Sequence, residues 1–122
     1  MTKINCLGKH LIIDCNNVKT DVCLDDKKML ESLVEAAKEA GSTVINSCRY
    51  HFGHNSPPGF ACIVMLDESH CSAHSYADRG LLAIDIFTCG KTDPKKLFDI
   101  LLTKIDLSDC NILIKEVNRF EI

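Results

Sequence analysis

Over residues 25–40 the apolar positions Met29, Leu30, Leu33, Val34 and Ala37 recur three and four residues apart. Asp25 or Asp26 is placed to cap the start, and Gly41 stands just past the end. This is the signature of an amphipathic helix. A second helix is predicted after Gly90: Thr92-Asp93-Pro94 supplies a cap and a first-turn proline, and Leu97, Phe98, Leu101, Leu102 and Ile105 mark one apolar face. The other apolar stretches, residues 7–15, 42–46, 60–66, 81–88 and 111–120, are short and rich in β-branched residues, which predicts strands. Residues 49–59 hold His51, Gly53, His54, Asn55, Pro57, Pro58 and Gly59 and read as a loop. Residues 67–80 are polar and read as a connection between two buried strands.

The order strand, helix, strand, loop, strand, connection, strand, helix, strand predicts an α+β domain: a two-layer sandwich of an antiparallel sheet with two helices on one face. Leu11-Ile12-Ile13 and Ile63-Val64-Met65-Leu66 are apolar at consecutive positions, which implies burial on both faces of that sheet. A chain of 122 residues forms one domain and cannot cover both faces with two helices. A second copy would cover the open face, so a homodimer or higher oligomer is expected, dimerising into a four-layer α/β/β/α sandwich.

Composition narrows the function classes. Hydrophobic residues at 46% and charged residues at 25% suit a globular protein, and a net charge of -3 argues against nucleic acid as the main partner. No apolar run approaches the roughly 18 residues of a membrane span. Residues 1–5 lack the pattern of a secretory signal, so a cytoplasmic location is the expectation. Eight cysteines (Cys6, Cys15, Cys23, Cys48, Cys62, Cys71, Cys89 and Cys110) raise the question of disulfides, yet no two are three apart, which removes the CxxC knuckle. Several lie within apolar runs and are expected to be free buried thiols, with one or two carrying chemistry.

The stretch Asp67-Glu68-Ser69-His70-Cys71-Ser72-Ala73-His74-Ser75-Tyr76 concentrates histidines, serines, acids and a thiol. Three readings of these residues stand side by side. It suits a solvated hairpin connection, since Ser and Asp are ordinary turn residues. His70, Cys71 and His74 with His51 or His54 are zinc-ligand types, at a spacing that matches no strong zinc pattern. Ser69 or Cys71 with His74 offers a nucleophile and a base, without a GxSxG elbow.

Glu68-Ser69-His70, followed by His74 and then by Ala83-Ile84-Asp85-Ile86-Phe87-Thr88-Cys89-Gly90, resembles the small prokaryotic form of S-adenosylmethionine decarboxylase. The opening Leu7-Gly8-Lys9-His10-Leu11 resembles that family's first strand, and the likeness runs over nearly the whole chain. The resemblance implies a pyruvoyl-dependent enzyme made as a proenzyme that cuts itself between Glu68 and Ser69, into residues 1–68 (β chain) and 69–122 (α chain). Ser69 would attack the Glu68 carbonyl and end as the pyruvoyl group, the only cofactor implied, with no metal and no pyridoxal phosphate. His74 matches the processing proton acceptor. The pyruvoyl carbonyl would form a Schiff base with a small amino-acid-type substrate and act as electron sink for decarboxylation. Cys89 matches the proton donor to the resulting carbanion, a role that suits a thiol because free cysteine, with a pKa of about 8.5, is mostly protonated at neutral pH. The product would supply aminopropyl groups for spermidine and polyamine biosynthesis.

The likeness has departures. The serine that usually stands eight residues before the cleavage serine is Ala61, and the neighbouring Cys62 would point to the other face of a strand. An adenine-stacking aromatic falls near Asn55, a tryptophan is replaced by Tyr76, and the ribose-binding glutamate by Asp78. Tyr76, Asp78 and Phe52 are therefore the expected substrate contacts, with Tyr50 also available to replace the lost ring. Two alternatives follow: the same chemistry on arginine or ornithine, or a homologue that binds a ligand without ever processing.

Overall fold

Helix α2 (Asp26–Glu39) forms where the periodicity predicts it, with the Asp25 carboxylate accepting from the Lys28 amide and Met29, Ser32, Leu33, Ala36 and Ala37 buried. The computed structural model describes residues 7–121. Its strands are β1 (Gly8–Asn16), β2 (Val44–Phe52), β3 (Gly59–Leu66), β4 (Ser69–Tyr76), β5 (Leu81–Cys89) and β6 (Asn111–Arg119). A five-residue α1 (Thr20–Leu24) precedes α2, a 3-10 turn (Ala77–Arg79) links β4 to β5, and α3 (Pro94–Leu101) follows β5. Asp93 caps α3 by accepting from the Lys95 amide, and Pro94, Leu97, Phe98 and Leu101 are its buried face.

The strands form one sheet in the order β2-β3-β4-β5-β1-β6, every neighbouring pair antiparallel. Helix α2 packs on β2, β3 and β4, and α3 on β1 and β5, so the helices share one face. The core lies between them: Leu11, Ile13, Val64, Ile84 and Ile86 from the sheet meet Leu33, Leu97, Phe98 and Leu101 from the helices, all at most 2% exposed. The two-layer α+β sandwich expected from the pattern is the observed fold.

Three segments differ from the sequence-based expectation: residues 20–24 form the short helix α1, a third helix where two were expected, and two strands are longer or new. Strand β2 continues to Phe52 instead of ending at residue 46, which leaves residues 53–58 as the loop. Arg49 and His51 lie on the helix side of β2, and both reach Asp26 at the start of α2: Arg49 Nη1 at 2.5 Å and His51 Nδ1 at 3.2 Å. The polar residues that suggested a loop are thus an ionic tie between an edge strand and a helix. Residues 69–76, expected within a connection, form the strand β4 inside the sheet. Its core face is Ser69, Cys71, Ala73 and Ser75. Ser75 is fully buried but satisfied, its Oγ donating to the Cys23 carbonyl at 2.6 Å and accepting from the Phe60 amide at 3.0 Å.

Burial raises the pKa of Asp26, but the hydrogen bonds from Arg49, its own amide and His51 outweigh that and hold the carboxyl below its ordinary value of 3.8. The unfolded state therefore takes up this proton at higher pH than the folded state. The stabilisation is complete above about pH 4 and is lost as pH falls through the lowered folded value. Asp26→Asn is expected to cost on the order of 1 kcal/mol at pH 7, with the gap from the parent closing as the pH approaches 3. Urea midpoints at pH 7 and pH 3 check this; a gap that did not shrink would exclude the ionic tie.

The second face of the sheet carries Tyr50, Ile63, Met65, Leu113 and Val117, all exposed in the single chain. Among the described residues no helix is long and apolar enough to cross a membrane.

Candidate active site

Strands β3 and β4 join through Asp67 and Glu68 alone, with Leu66 paired to Ser69. Glu68 takes a φ of 61°, in the left-handed region that a non-glycine residue enters at a cost of about 1–2 kcal/mol. The Glu68–Ser69 peptide bond thus sits at the strained corner of a tight hairpin. Ser69, 8% exposed, points to the helix side, and its Oγ accepts a hydrogen bond from the Cys89 amide at 3.1 Å. Antiparallel pairing of β4 with β5 brings these residues together across 20 positions of sequence.

The Cys89 thiol takes the opposite direction. Strand alternation places Leu81, Ala83, Asp85, Phe87 and Cys89 on the open face, away from the buried Leu82, Ile84, Ile86 and Thr88. Cys89 is half-buried at the edge of a depression of about 330 Å³ lined with Leu7, Glu68, Gly90 and Phe120. Residues on both sides of the Glu68–Ser69 bond therefore adjoin Cys89, one through its amide and one through a shared depression.

His74 projects from the open face at the other end of β4. Its cross-strand neighbours are Ala61 on β3 and Ala83 on β5, both too small to cover the imidazole. The ring instead meets Tyr76 at 5.0 Å and Phe52 at 5.3 Å between centroids, and Phe52 also reaches Tyr76 at 6.0 Å. Phe52 reaches across because Gly59 leaves room: a Cβ there would lie 2.7 Å from the ring. His74 and Tyr76 border a depression of about 460 Å³ that also includes Asp14 and Leu113. At about 3.3 Å per residue, His74 lies about 16 Å along β4 from Ser69. By the same measure it is about 20 Å from Cys89, six residues along β5 from Ala83. Within one chain the expected catalytic groups form two half-sites, at opposite ends of the sheet.

The expected substrate residues divide accordingly. Phe52 and Tyr76 join the histidine half. Asp78 lies on the 3-10 turn after β4, outside the residues lining that depression. Tyr50 shares the row of Ala61 and His74 but is 62% exposed.

The zinc grouping does not form. Cys71 points into the core, His70 and His74 project from the other face, and His51 is held by Asp26 on the helix side. Nor does Cys71 suit a nucleophile, because burial pushes its thiol up to about 12. Burial likewise raises Cys15 and Cys62 to about 12 and Cys23 to about 11, which keeps these thiols protonated and inert. All seven cysteines among the described residues are free; Cys6 lies outside them.

One cluster escaped the sequence reading. Phe87, beside Cys89 on the open face, is surrounded by the His70 ring at 5.3 Å, the His10 ring at 6.1 Å and the Arg119 guanidinium at 5.4 Å. His10 Nε2 is 3.0 Å from the Asp85 carboxylate. The available signal was alternation: His10, Asp85 and Phe87 all fall at open-face positions of their strands.

The sequence profile described as S-adenosylmethionine decarboxylase matches residues 9–119. Three similar proteins are each named S-adenosylmethionine decarboxylase proenzyme. That of Brevibacillus brevis is 37% identical over 79% of this chain and 71% of its own length. The Pyrococcus furiosus protein is 35% identical over 80% and 69%, and the Thermotoga petrophila protein 32% identical over 94% and 87%. The crystal structure of the adenosylmethionine decarboxylase from Aquifex aeolicus superposes with a TM-score of 0.78 at 28% identity, covering 94% of this chain and 92% of that one. With a profile spanning nearly all its strands and relatives alike in sequence and fold, this chain belongs to the S-adenosylmethionine decarboxylase family.

Proposed function

We propose that the protein is a pyruvoyl-dependent decarboxylase of S-adenosylmethionine that matures by cutting its own Glu68–Ser69 bond. The observation that carries this is the hairpin. Ser69 follows directly on a left-handed Glu68, and its Oγ is held by the Cys89 amide. In cleavage the Oγ attacks the Glu68 carbonyl carbon and the C–N bond breaks, leaving an ester and a free Ser69 amine. A base then removes the Ser69 Cα proton and the ester C–O bond breaks. Glu68 becomes a terminal carboxylate, and residue 69 loses ammonia on hydrolysis to become the pyruvoyl group. Turn strain favours cleavage as a whole, because breaking the chain opens the hairpin and releases it.

The pyruvoyl carbonyl supplies the electron sink that makes loss of carbon dioxide feasible. Residue 69 would carry it, on the end of β4 that cleavage frees beside Cys89. Cys89 gives a proton to the substrate carbon after carbon dioxide leaves. His74 serves as the processing base, and Phe52 and Tyr76 offer flat faces to the adenine. Asp14, in the same depression, is an acid suited to a sulfonium cation.

Because His74 lies about 16 Å from Ser69 along β4, one chain does not complete this chemistry. A two-fold pairing of open faces would set the histidine half of one chain against the depression lined by Glu68 and Cys89 in the other, on the open side of its cleavage hairpin. It would also cover Ile63 and Met65, giving the four-layer sandwich.

Intact mass and labelled substrate test the reading together. The purified protein should give two fragments, with a blocked new N-terminus at position 69, and should release labelled carbon dioxide from S-adenosylmethionine. A single uncut 13.6 kDa chain would refute it. Release from arginine or ornithine alone would move the substrate.

A further inference from the structure

The register of the sheet sets Cys89, Gly8 and Arg119 abreast on β5, β1 and β6, all facing the open side. Between a thiol and a guanidinium there is thus a position with no side chain. A Cβ built on Gly8 would stand 2.8 Å from Phe87 Cε1, 3.0 Å from Phe87 Cζ and 3.3 Å from Cys89 Sγ. Carbon atoms in contact prefer about 3.5–4.0 Å, so even one methyl group forces the ring aside. Three side chains border the ring, so moving it displaces them as well. His70 lies against it at 5.3 Å, Arg119 at 5.4 Å and His10 at 6.1 Å, and His10 is itself tethered to Asp85.

We propose that Gly8 is a positioning residue for decarboxylation: the space left by its missing side chain holds the Phe87 ring and sets the Cys89 thiol at the mouth of its depression. A glycine here is not explained by backbone conformation, because its φ lies outside the left-handed region. What demands it is the close approach of two side chains from the neighbouring strand. The inference rests on Cys89 as proton donor. Gly8 lies on β1, with β5 between it and the β4 strand that Ser69 begins, so its effect falls on decarboxylation and not on cleavage.

In the full chain, Gly8→Ala is expected to cleave to the same two fragments while kcat falls ten- to a hundredfold and KM changes less than threefold, since a displacement of about 1 Å costs up to 10²-fold. Phe87→Leu removes the atoms that the new methyl group would strike, so the double variant Gly8→Ala/Phe87→Leu should recover at least fivefold over Gly8→Ala. A merely destabilising alanine would not be rescued in this way. The rate of iodoacetamide alkylation at Cys89, read by peptide mapping, should change at least threefold in Gly8→Ala and return in the double variant. That readout needs no turnover, so it separates this inference from the proposed activity: an inactive parent chain would refute the decarboxylase, while the alkylation comparison would still decide on Gly8. A kcat within twofold of the parent, no recovery in the double variant, or unchanged alkylation would overturn the proposal. If Gly8→Ala alone does not fold, the double variant decides: folded and active supports the proposal; folded and inactive, or unfolded, overturns it.

Discussion

Ser69→Ala is expected to leave the protein as one uncut 13.6 kDa chain without decarboxylase activity. The substitution removes one oxygen and little else, since the side chain is 8% exposed and its one hydrogen bond among the described residues comes from the Cys89 amide. The loss of that bond costs about 1 kcal/mol, which the fold tolerates. The chemical loss is complete, because without Oγ there is no attack on Glu68, and without cleavage no carbonyl forms at residue 69. His74→Ala should also stay uncut, for a different reason: it removes the base that takes the Ser69 Cα proton, although within one chain that imidazole lies on the other face and about 16 Å away along β4. Co-expression of the two variants distinguishes the causes. If Ser69 of one chain is served by His74 of another, the His74→Ala chain, which keeps its serine, should be cut when paired with the Ser69→Ala chain, which keeps its histidine. Intact-mass spectrometry of tagged chains reads this directly. Absence of any fragment from the mixture would show that the two half-sites do not meet across copies.

Cys89→Ala should separate maturation from turnover. Alanine keeps the backbone amide that holds Ser69 Oγ, so both fragments should appear as in the parent. It removes the thiol, and with it the proton for the substrate carbon. Loss of a positioned general acid is worth about 10²–10⁴-fold, so labelled carbon dioxide release should fall by that range at saturating substrate. Normal release would remove Cys89 from the proton-donor role. Failure to cleave would show that the thiol, and not only the amide, acts in processing.

Legibility in the sequence followed the size of the buried side chains. Helices α2 and α3 were plain because Leu33, Leu97, Phe98 and Leu101 are large, apolar and spaced at the helical period. Strand β4 was hidden because its core face is Ser69, Cys71, Ala73 and Ser75, which a hydrophobicity pattern does not register. The extension of β2 was hidden for the opposite reason: Arg49 and His51 face the helix layer and are satisfied by Asp26, which lies 23 and 25 positions away. No local pattern carries such a partner.

The same division holds for the site. Ser69, His74 and Cys89, the family they point to and the layered α+β class are all legible along the chain, because chemistry and periodicity are written locally. Where those groups stand depends on how the strands pair. Once residues 69–76 are a strand, an offset of five puts Ser69 and His74 on opposite faces and at opposite ends. Antiparallel register, a property of paired strands and not of either one, brings the Cys89 amide to Ser69 and Gly8 beside the Cys89 thiol.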